Sequence, residues 1–197
     1  MATCEFVFDV ASPYSYLAST QLKALRERTG CELRLHPVAL GGIFKSTGRA
    51  ELPPPPQLRW MTHDLARWAK KYGVPFRFPS AFPTRTLLAQ RAIVAAAGEE
   101  ARQAAMHALF RAYWGEGWDV GEAEVVRTAL DGARLDGAAL IARAGEQPIK
   151  DELRANTDAA IERGVFGVPT FFVGQELFWG NDRLEFVEAA LRTARRG

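Results

Sequence analysis

The sequence has 197 residues, of which 48% are hydrophobic and 24% are charged, and its formal net charge is +2. That balance is typical of a globular protein and excludes a disordered chain. The small net charge argues against nucleic acid as the main partner, and no apolar run reaches the length of a membrane span. Residues 1–16 lack the basic start and cleavage site of a secretory signal, so we expect a cytoplasmic protein.

The cysteines and histidines give no sign of a redox or metal centre. Cys4 and Cys31 belong to no C-x-x-C motif, so we expect both to be buried, reduced thiols. The three histidines are scattered, without a second ligand at the spacing that zinc sites use. We therefore expect no bound metal.

The first structural signal is a strand that runs directly into a helix. Residues 5–10 alternate as a mostly buried strand would, and a helical pattern follows at once. Ser12 is the natural N-cap, and Pro13 suits the first helical turn. We predict one helix from there to Gly30. A helix start presents unpaired backbone N–H groups that suit an anion, but a plain N-cap is the commoner use of such a serine.

A second strand, predicted over residues 31–38, completes a β-α-β unit. Its strands should be parallel, with a right-handed connection. Ligands in such sheets collect at the carboxyl ends of the strands, which is where Ser12 lies.

The middle of the chain is predicted to be mostly helical. Residues 40–49 are punctuated by glycine, and the four prolines of residues 53–56 predict an extended connector. A long amphipathic helix follows from Gln57 to Tyr72. Further helical segments are predicted over residues 84–97, 99–114, 121–133 and 136–144.

The α/β pattern resumes near the end of the chain. We predict a helix over residues 147–163, a hairpin of strands over 171–173 and 176–179, and a last helix. Asn181 or Asp182 is the expected N-cap of that last helix.

The two predicted strands near the end of the chain should join the sheet of the first two strands, because a β-α-β unit alone is too small to be stable. We therefore predict a domain formed by residues 1–38 together with 147–197. Residues 39–146 would be a helical subdomain inserted between its two halves.

Four stretches of the sequence together resemble a known family. They are residues 8–17, 37–45, 164–173 and 178–184, which span nearly the whole chain. Their order is similar to that of thioredoxin-like disulfide oxidoreductases and, more specifically, resembles the 2-hydroxychromene-2-carboxylate isomerase family, which is related to kappa-class glutathione transferases. The resemblance implies an α/β, thioredoxin-like fold with a large helical insertion.

The resemblance also implies a role for Ser12. Residues 12–15 read Ser-Pro-Tyr-Ser and stand where redox relatives carry their reactive cysteines. Serine hydroxyls form no disulfides, so dithiol chemistry is excluded at this position. In the resembling family the serine would activate the thiol of glutathione, the implied cofactor, by donating a hydrogen bond to its sulfur.

Further glutathione contacts are implied near the end of the chain. The bond between Val168 and Pro169 would be cis, which leaves the Val168 backbone to pair with the peptide part of glutathione. Asn181 and Asp182 would hold the γ-glutamyl end. The implied cofactor-binding residues are Ser12, Val168, Pro169, Trp179, Gly180, Asn181 and Asp182.

The implied substrate residues are Phe44, Lys45 and Arg85. The family's substrate is an aromatic ring with a pyruvate-like arm, which requires aromatic walls and a cation for the carboxylate. Two residues depart from the family's pattern. Arg49 and Gln57 stand where relatives usually carry asparagine and lysine, so we expect altered contacts to glutathione.

The resemblance implies a glutathione-dependent cis-trans isomerase that acts on 2-hydroxychromene-2-carboxylate or a similar aromatic pyruvate by reversible thiolate addition. One alternative is a kappa-like transferase, which would join glutathione permanently to an electrophile. Another is a non-catalytic thioredoxin-like module that binds a peptide beside Val168. The expected partners are a small aromatic substrate and a second copy of the chain in a homodimer, with neither nucleic acid nor membrane.

Overall fold

The computed structural model describes residues 1–50 and 52–195 and contains a mixed sheet of four strands. The strands are β1 Thr3–Phe8, β2 Glu32–Pro37, β3 Thr170–Val173 and β4 Glu176–Trp179. Their order is β2-β1-β3-β4. As predicted, β1 and β2 are parallel, and β3 and β4 form an antiparallel hairpin. The hairpin joins the sheet through β3, which pairs antiparallel with β1.

Helices pack against both faces of this sheet. They are α1 Pro13–Ser19, α2 Leu22–Thr29, α3 Leu40–Thr47, α4 Pro55–Tyr72, α5 Leu87–Ala95, α6 Glu99–Phe110, α7 Ala123–Gly132, α8 Gly137–Ala144, α9 Gln147–Glu162 and α10 Leu184–Ala194. A π-helical turn, Arg111–Gly115, continues α6, and a 3₁₀ turn, Asn181–Arg183, precedes α10.

Neighbouring residues of β1 serve two different cores, as the alternation predicts. Phe6 and Phe8 belong to the larger core, where their rings stack with centroids 5.0 Å apart. Val7 points to the opposite face and packs in a smaller core with Val38 and Ile43. Both faces of β1 are therefore buried, which identifies it as a central strand.

The predicted single helix after Ser12 is wrong, because α1 and α2 are separated by a break at Thr20. The hydroxyls of Ser19 and Thr20 donate to the carbonyl oxygens of Tyr16 and Leu17 at 2.7 and 2.6 Å. Such local side-chain bonds compete with continuation of the helix. The predicted left-handed closure at residue 30 is confirmed, with φ of 65°.

The glycine-punctuated segment after β2 forms α3, a helix that the sequence pattern does not predict. One side of α3 is buried through Leu40 and Ile43. A Cβ atom at Gly42 would lie 3.1 Å from Cγ2 of Thr157, so the glycine permits close packing against α9. The small residue that weakens the helical signal is thus required by the packing.

Two helix starts differ from expectation. α4 begins at Pro55 rather than Gln57, because proline fits the first turn, where its missing N–H has no intrahelical partner. Neither Asn181 nor Asp182 caps the last helix through its side chain; the chain passes through a 3₁₀ turn before α10 begins at Leu184.

Gln90 of α5 joins the helical segment to the sheet. Its side chain is fully buried, and its Nε2 donates to the carbonyl oxygens of Phe8 and Val38 at 3.0 and 2.8 Å. Its Oε1 accepts the Val10 N–H at 3.2 Å. Nε1 of Trp114 donates to the Val10 carbonyl oxygen at 2.7 Å.

The helices α5 and α6 share the larger core with the strands. The predicted division of the chain into residues 1–38 with 147–197 and an insertion of residues 39–146 stays a prediction. Across the residues that the structure describes, no helix is both long and apolar enough to cross a membrane.

We expect the Gln90→Ala variant to lower the free energy of unfolding by about 2–4 kcal/mol. The change removes the partner of the Val10 N–H and of the Val38 carbonyl oxygen, and it removes one of the two donors to the Phe8 carbonyl oxygen. Urea denaturation followed by circular dichroism measures this. Gln175→Ala, in the exposed turn between β3 and β4, is the matched control and should change stability by less than about 0.5 kcal/mol. Equal effects in the two variants would contradict the assigned role of Gln90.

Candidate active site

A cavity of about 330 Å³ opens at the carboxyl end of β1. Its walls come from the turn before α1, from α3 and α4, from the loop before β3 and from the residues after β4. Beyond the strand ends, backbone groups no longer pair within the sheet, so polar groups are available to line the cavity. This is the position at which ligands bind in sheets with parallel strands.

Ser12 lies at the base of the cavity and is 5% exposed. Its Oγ accepts the Ser15 N–H at 3.1 Å, which confirms it as the N-cap of α1. The same hydroxyl donates to the carbonyl oxygen of Val168 at 3.1 Å. The structure therefore brings together two predicted site residues that are far apart in the sequence.

The turn that carries Ser12 is held by the buried carboxylate of Asp9. One oxygen accepts the Ala11 N–H at 2.9 Å and the Thr86 hydroxyl at 3.0 Å, and the other accepts the Leu40 N–H at 2.7 Å. Burial raises the pKa of Asp9, and these three donors oppose the shift. These bonds tie the turn to the start of α3 at Leu40 and to the residue before α5, Thr86.

The peptide bond between Val168 and Pro169 is cis. The Pro169 carbonyl oxygen accepts the Gly180 N–H at 2.9 Å, which ties this loop to the end of β4. Gly167 lies against the indole of Trp179, and a Cβ atom there would come within 2.9 Å of its Nε1. Glycine at this position thus lets Trp179 form part of the cavity wall.

The 3₁₀ turn after β4 contributes a deeply buried polar side chain to the cavity lining. Asn181 is 3% exposed, and its Nδ2 has no hydrogen-bond acceptor among the described residues. Its carbonyl oxygen accepts the Tyr72 hydroxyl at 3.1 Å, which fixes the turn against α4. Asp182 also lines the cavity and lies 3.5 Å from the guanidinium of Arg183.

Apart from Gln57, the residues of α4 that line the cavity were not predicted. Trp60, Met61, Asp64 and Trp68 line the cavity, and the Tyr14 hydroxyl donates to Asp64 at 3.0 Å. Burial and then the bond to Asp64 raise the pKa of Tyr14. The available signal was the aromatic stripe of α4, which is typical of ordinary core packing.

The residues predicted for the substrate side are only partly brought together. Phe44 lines the cavity, whereas Lys45 and Arg85 are exposed and do not line it. The substrate role of these two cations stays a prediction that the arrangement does not favour. Arg49 and Gln57, the two departures from the family's pattern, both line the cavity.

Comparison with known proteins agrees with this architecture. The chain matches the DSBA-like thioredoxin domain over residues 3–192. A 2-hydroxychromene-2-carboxylate isomerase from Sphingobium xenophagum is 35% identical over 195 residues, covering 96% of this chain and 97% of the relative. The chain belongs to this isomerase family.

Two further relatives agree with that assignment. A solved structure of selenomethionine 2-hydroxychromene-2-carboxylate isomerase matches with a TM-score of 0.89 and 31% identity, covering 98% of this chain and 96% of the other. Human glutathione S-transferase kappa 1 is 28% identical over 202 residues, covering 94% of this chain and 88% of the relative. The predicted thioredoxin-like fold and the predicted enzyme class, an isomerase, are confirmed.

All four tyrosines should titrate late in the native protein. Burial raises the pKa of Tyr16 to about 12 and raises the pKa values of Tyr14, Tyr72 and Tyr113. The folded state favours the neutral phenol. The contribution of the buried phenols to the free energy of unfolding is therefore fully present below the unfolded pKa of about 10, and it is lost as the pH rises through the raised pKa values. Tyrosinate absorbance should therefore appear at higher pH in native than in denatured protein.

The Asp64→Asn variant should lower the pKa of Tyr14, and the Tyr14→Phe variant identifies that residue's step in the titration. Asp158→Asn on α9 serves as a control that should leave the curve unchanged. A native curve that coincides with the denatured one would contradict the burial of these phenols.

Proposed function

We propose that the protein is a glutathione-dependent cis-trans isomerase of 2-hydroxychromene-2-carboxylate or a similar aromatic pyruvate. The observation that carries the proposal is the buried Ser12 hydroxyl, which lies at the base of the cavity within 3.1 Å of the Val168 carbonyl oxygen. A small hydroxyl in this position leaves room for a sulfur atom from a ligand.

The residues around the cavity fit glutathione. Asn181 offers a buried amide N–H group that has no protein acceptor in the described ranges, as a ligand-binding donor would. Val168 offers backbone groups beside Ser12, and Asp182 offers a carboxylate for an ammonium group. The kinship with kappa-class glutathione transferases supports the same cofactor. Trp179, Gly180 and Pro169 complete this wall.

Bound glutathione would supply a thiolate whose reversible addition to the conjugated carbon makes a double bond single and so permits rotation before elimination. On binding, Ser12 would turn its single hydroxyl proton from the Val168 carbonyl oxygen to the sulfur and favour the ionised form of the thiol, because hydrogen bonds to the charged form lower a pKa. Each pKa unit of lowering from about 8.5 corresponds to about 1.4 kcal/mol. Ser12 would therefore act by activating a thiol, without becoming a nucleophile.

The other walls suit an aromatic substrate. Phe44, Trp60, Met61 and Trp68 offer apolar area on two sides of the cavity. Such walls exclude water from the reacting atoms and leave orientation to a few polar groups. The proposed homodimer and cytoplasmic location are testable by light scattering and by fractionation.

A kappa-like transferase is the second candidate, and the 28% identity to human glutathione S-transferase kappa 1 favours it. Product analysis separates the two functions. Recovery of free glutathione after turnover supports an isomerase, and accumulation of a conjugate supports a transferase.

The Ser12→Ala variant should lower the glutathione-dependent isomerisation rate by about 10- to 100-fold, the worth of one hydrogen bond to a charged group. The same change removes an N-cap and should lower stability by about 1 kcal/mol. Asp136→Ala is the matched control, since it removes the cap of α8, where the carboxylate accepts the Ala139 N–H at 2.9 Å. That control should lose similar stability and keep full activity. Full activity in Ser12→Ala would refute the role of Ser12.

The Asn181→Ala variant tests the binding of the peptide part. Because Nδ2 has no acceptor among the residues that the structure describes, we expect a loss of stability below about 1 kcal/mol. We expect the glutathione dissociation constant to increase about tenfold. Isothermal calorimetry measures the binding, and Asn156→Ala on α9 is the control. Unchanged affinity in Asn181→Ala would remove this residue from the proposed site.

A further inference from the structure

The end of α3 determines where Arg49 lies. Gly48 adopts a left-handed conformation with φ of 66°, and its N–H donates to the Lys45 carbonyl oxygen at 3.4 Å. The Arg49 N–H donates to the Phe44 carbonyl oxygen at 2.9 Å. This pair of bonds defines a Schellman cap, in which the residue after the glycine folds back over the third residue before the helix end.

In this cap the side chains of Arg49 and Phe44 form a cation–π interaction. The guanidinium carbon of Arg49 lies 5.0 Å from the centroid of the Phe44 ring. Phe44 in turn packs against the small core that contains Val168. The backbone and an anchored ring thus hold Arg49 at the edge of the cavity, which both residues line.

The charge of Arg49 has no ion-pair partner among residues 1–50 and 52–195. By contrast, the other lining arginine, Arg183, lies 3.5 Å from Asp182. Asp64, the remaining acidic residue of the lining, accepts the Tyr14 hydroxyl. A cation that lines a ligand cavity and pairs with no carboxylate in the described part of the chain suits an anionic group on the ligand.

We propose that Arg49 is the carboxylate-binding residue of this site. The planar guanidinium can hold a carboxylate through two parallel hydrogen bonds while it stacks on Phe44. The inference rests on the proposed function, which provides two sources of that chemistry: the glycine carboxylate of glutathione and the carboxylate of an aromatic 2-oxo acid. It gives Arg49 the role that the sequence assigned to Lys45 and Arg85.

The test measures how much one carboxylate of the ligand contributes to its affinity for the protein. It uses direct binding and requires no turnover. Calorimetry compares glutathione with its glycine ethyl ester, and benzylidenepyruvate with its methyl ester. The proteins are the wild type, Arg49→Met, Arg49→Lys, Lys45→Met and Arg67→Met. Methionine keeps an apolar stem that can pack on Phe44, and Arg67 is an exposed cation of α4 that does not line the cavity.

The wild type should prefer the acid over the ester by about five- to twentyfold in one of the two ligand pairs. Arg49→Met should lose that preference, Arg49→Lys should retain part of it, and Arg67→Met should retain all of it. The pair that responds identifies the source of the carboxylate.

Three results would overturn the proposal: an unchanged preference in Arg49→Met, a loss in Lys45→Met instead, or a wild type that prefers neither acid. The proposed isomerase function is tested by a separate measurement, the rate of glutathione-dependent isomerisation. If benzylidenepyruvate shows an Arg49-dependent preference while no glutathione-dependent isomerisation is found, the isomerase proposal fails and the role of Arg49 stands.

Discussion

The turn between β1 and α1 depends on polar groups that reach it from the helical segment. Beyond Phe8 the backbone leaves the sheet, so its N–H and carbonyl groups need other partners. Gln90 and Trp114 supply them at Val10, and Thr86 bonds the carboxylate that closes the turn. The helices between the two halves of the sheet are therefore part of the structure that positions Ser12.

The cavity combines two electrostatic environments. At its base, Ser12 and Asn181 are almost fully buried, so hydrogen bonds there act in a medium of low polarity and are weakly screened. At its rim, Arg49 and Trp60 are exposed, and charge interactions are weakened by water and salt. Chemistry that stabilises an anion suits the base, whereas the rim suits rapid exchange of ligands.

Features encoded by neighbouring residues were predictable from the sequence. The strand before Ser12, its N-cap and the left-handed closure at Gly30 follow from short patterns with direct physical causes. The closeness of Ser12 and Val168 followed from the order of elements in a resembling family. Local reasoning was sufficient for the strand, the cap and the closure, but it missed the helix break at Thr20, although the bonds of Ser19 and Thr20 there are local too.

Features that depend on distant partners were not predictable. Gln90 looks like any polar residue in an alanine-rich helix until the carboxyl ends of β1 and β2 are known to converge on it. The aromatic residues of α4 were interpreted as core residues. A helix face that lines a cavity and a helix face that is fully buried show the same spacing of apolar residues in the sequence. Lys45 illustrates a further limit, since a helix places its neighbour Phe44 in the cavity wall and turns Lys45 away from it.

The left-handed cap at Gly48 also bears on how such a cavity can diversify. The backbone determines the direction of the Cα–Cβ bond at position 49, whichever side chain is attached. An exchange there alters the electrostatic character of the rim while the helix and its cap persist. Position 49 is thus an evolvable position, at which mutation can retune ligand preference without first requiring a compensating change in the fold.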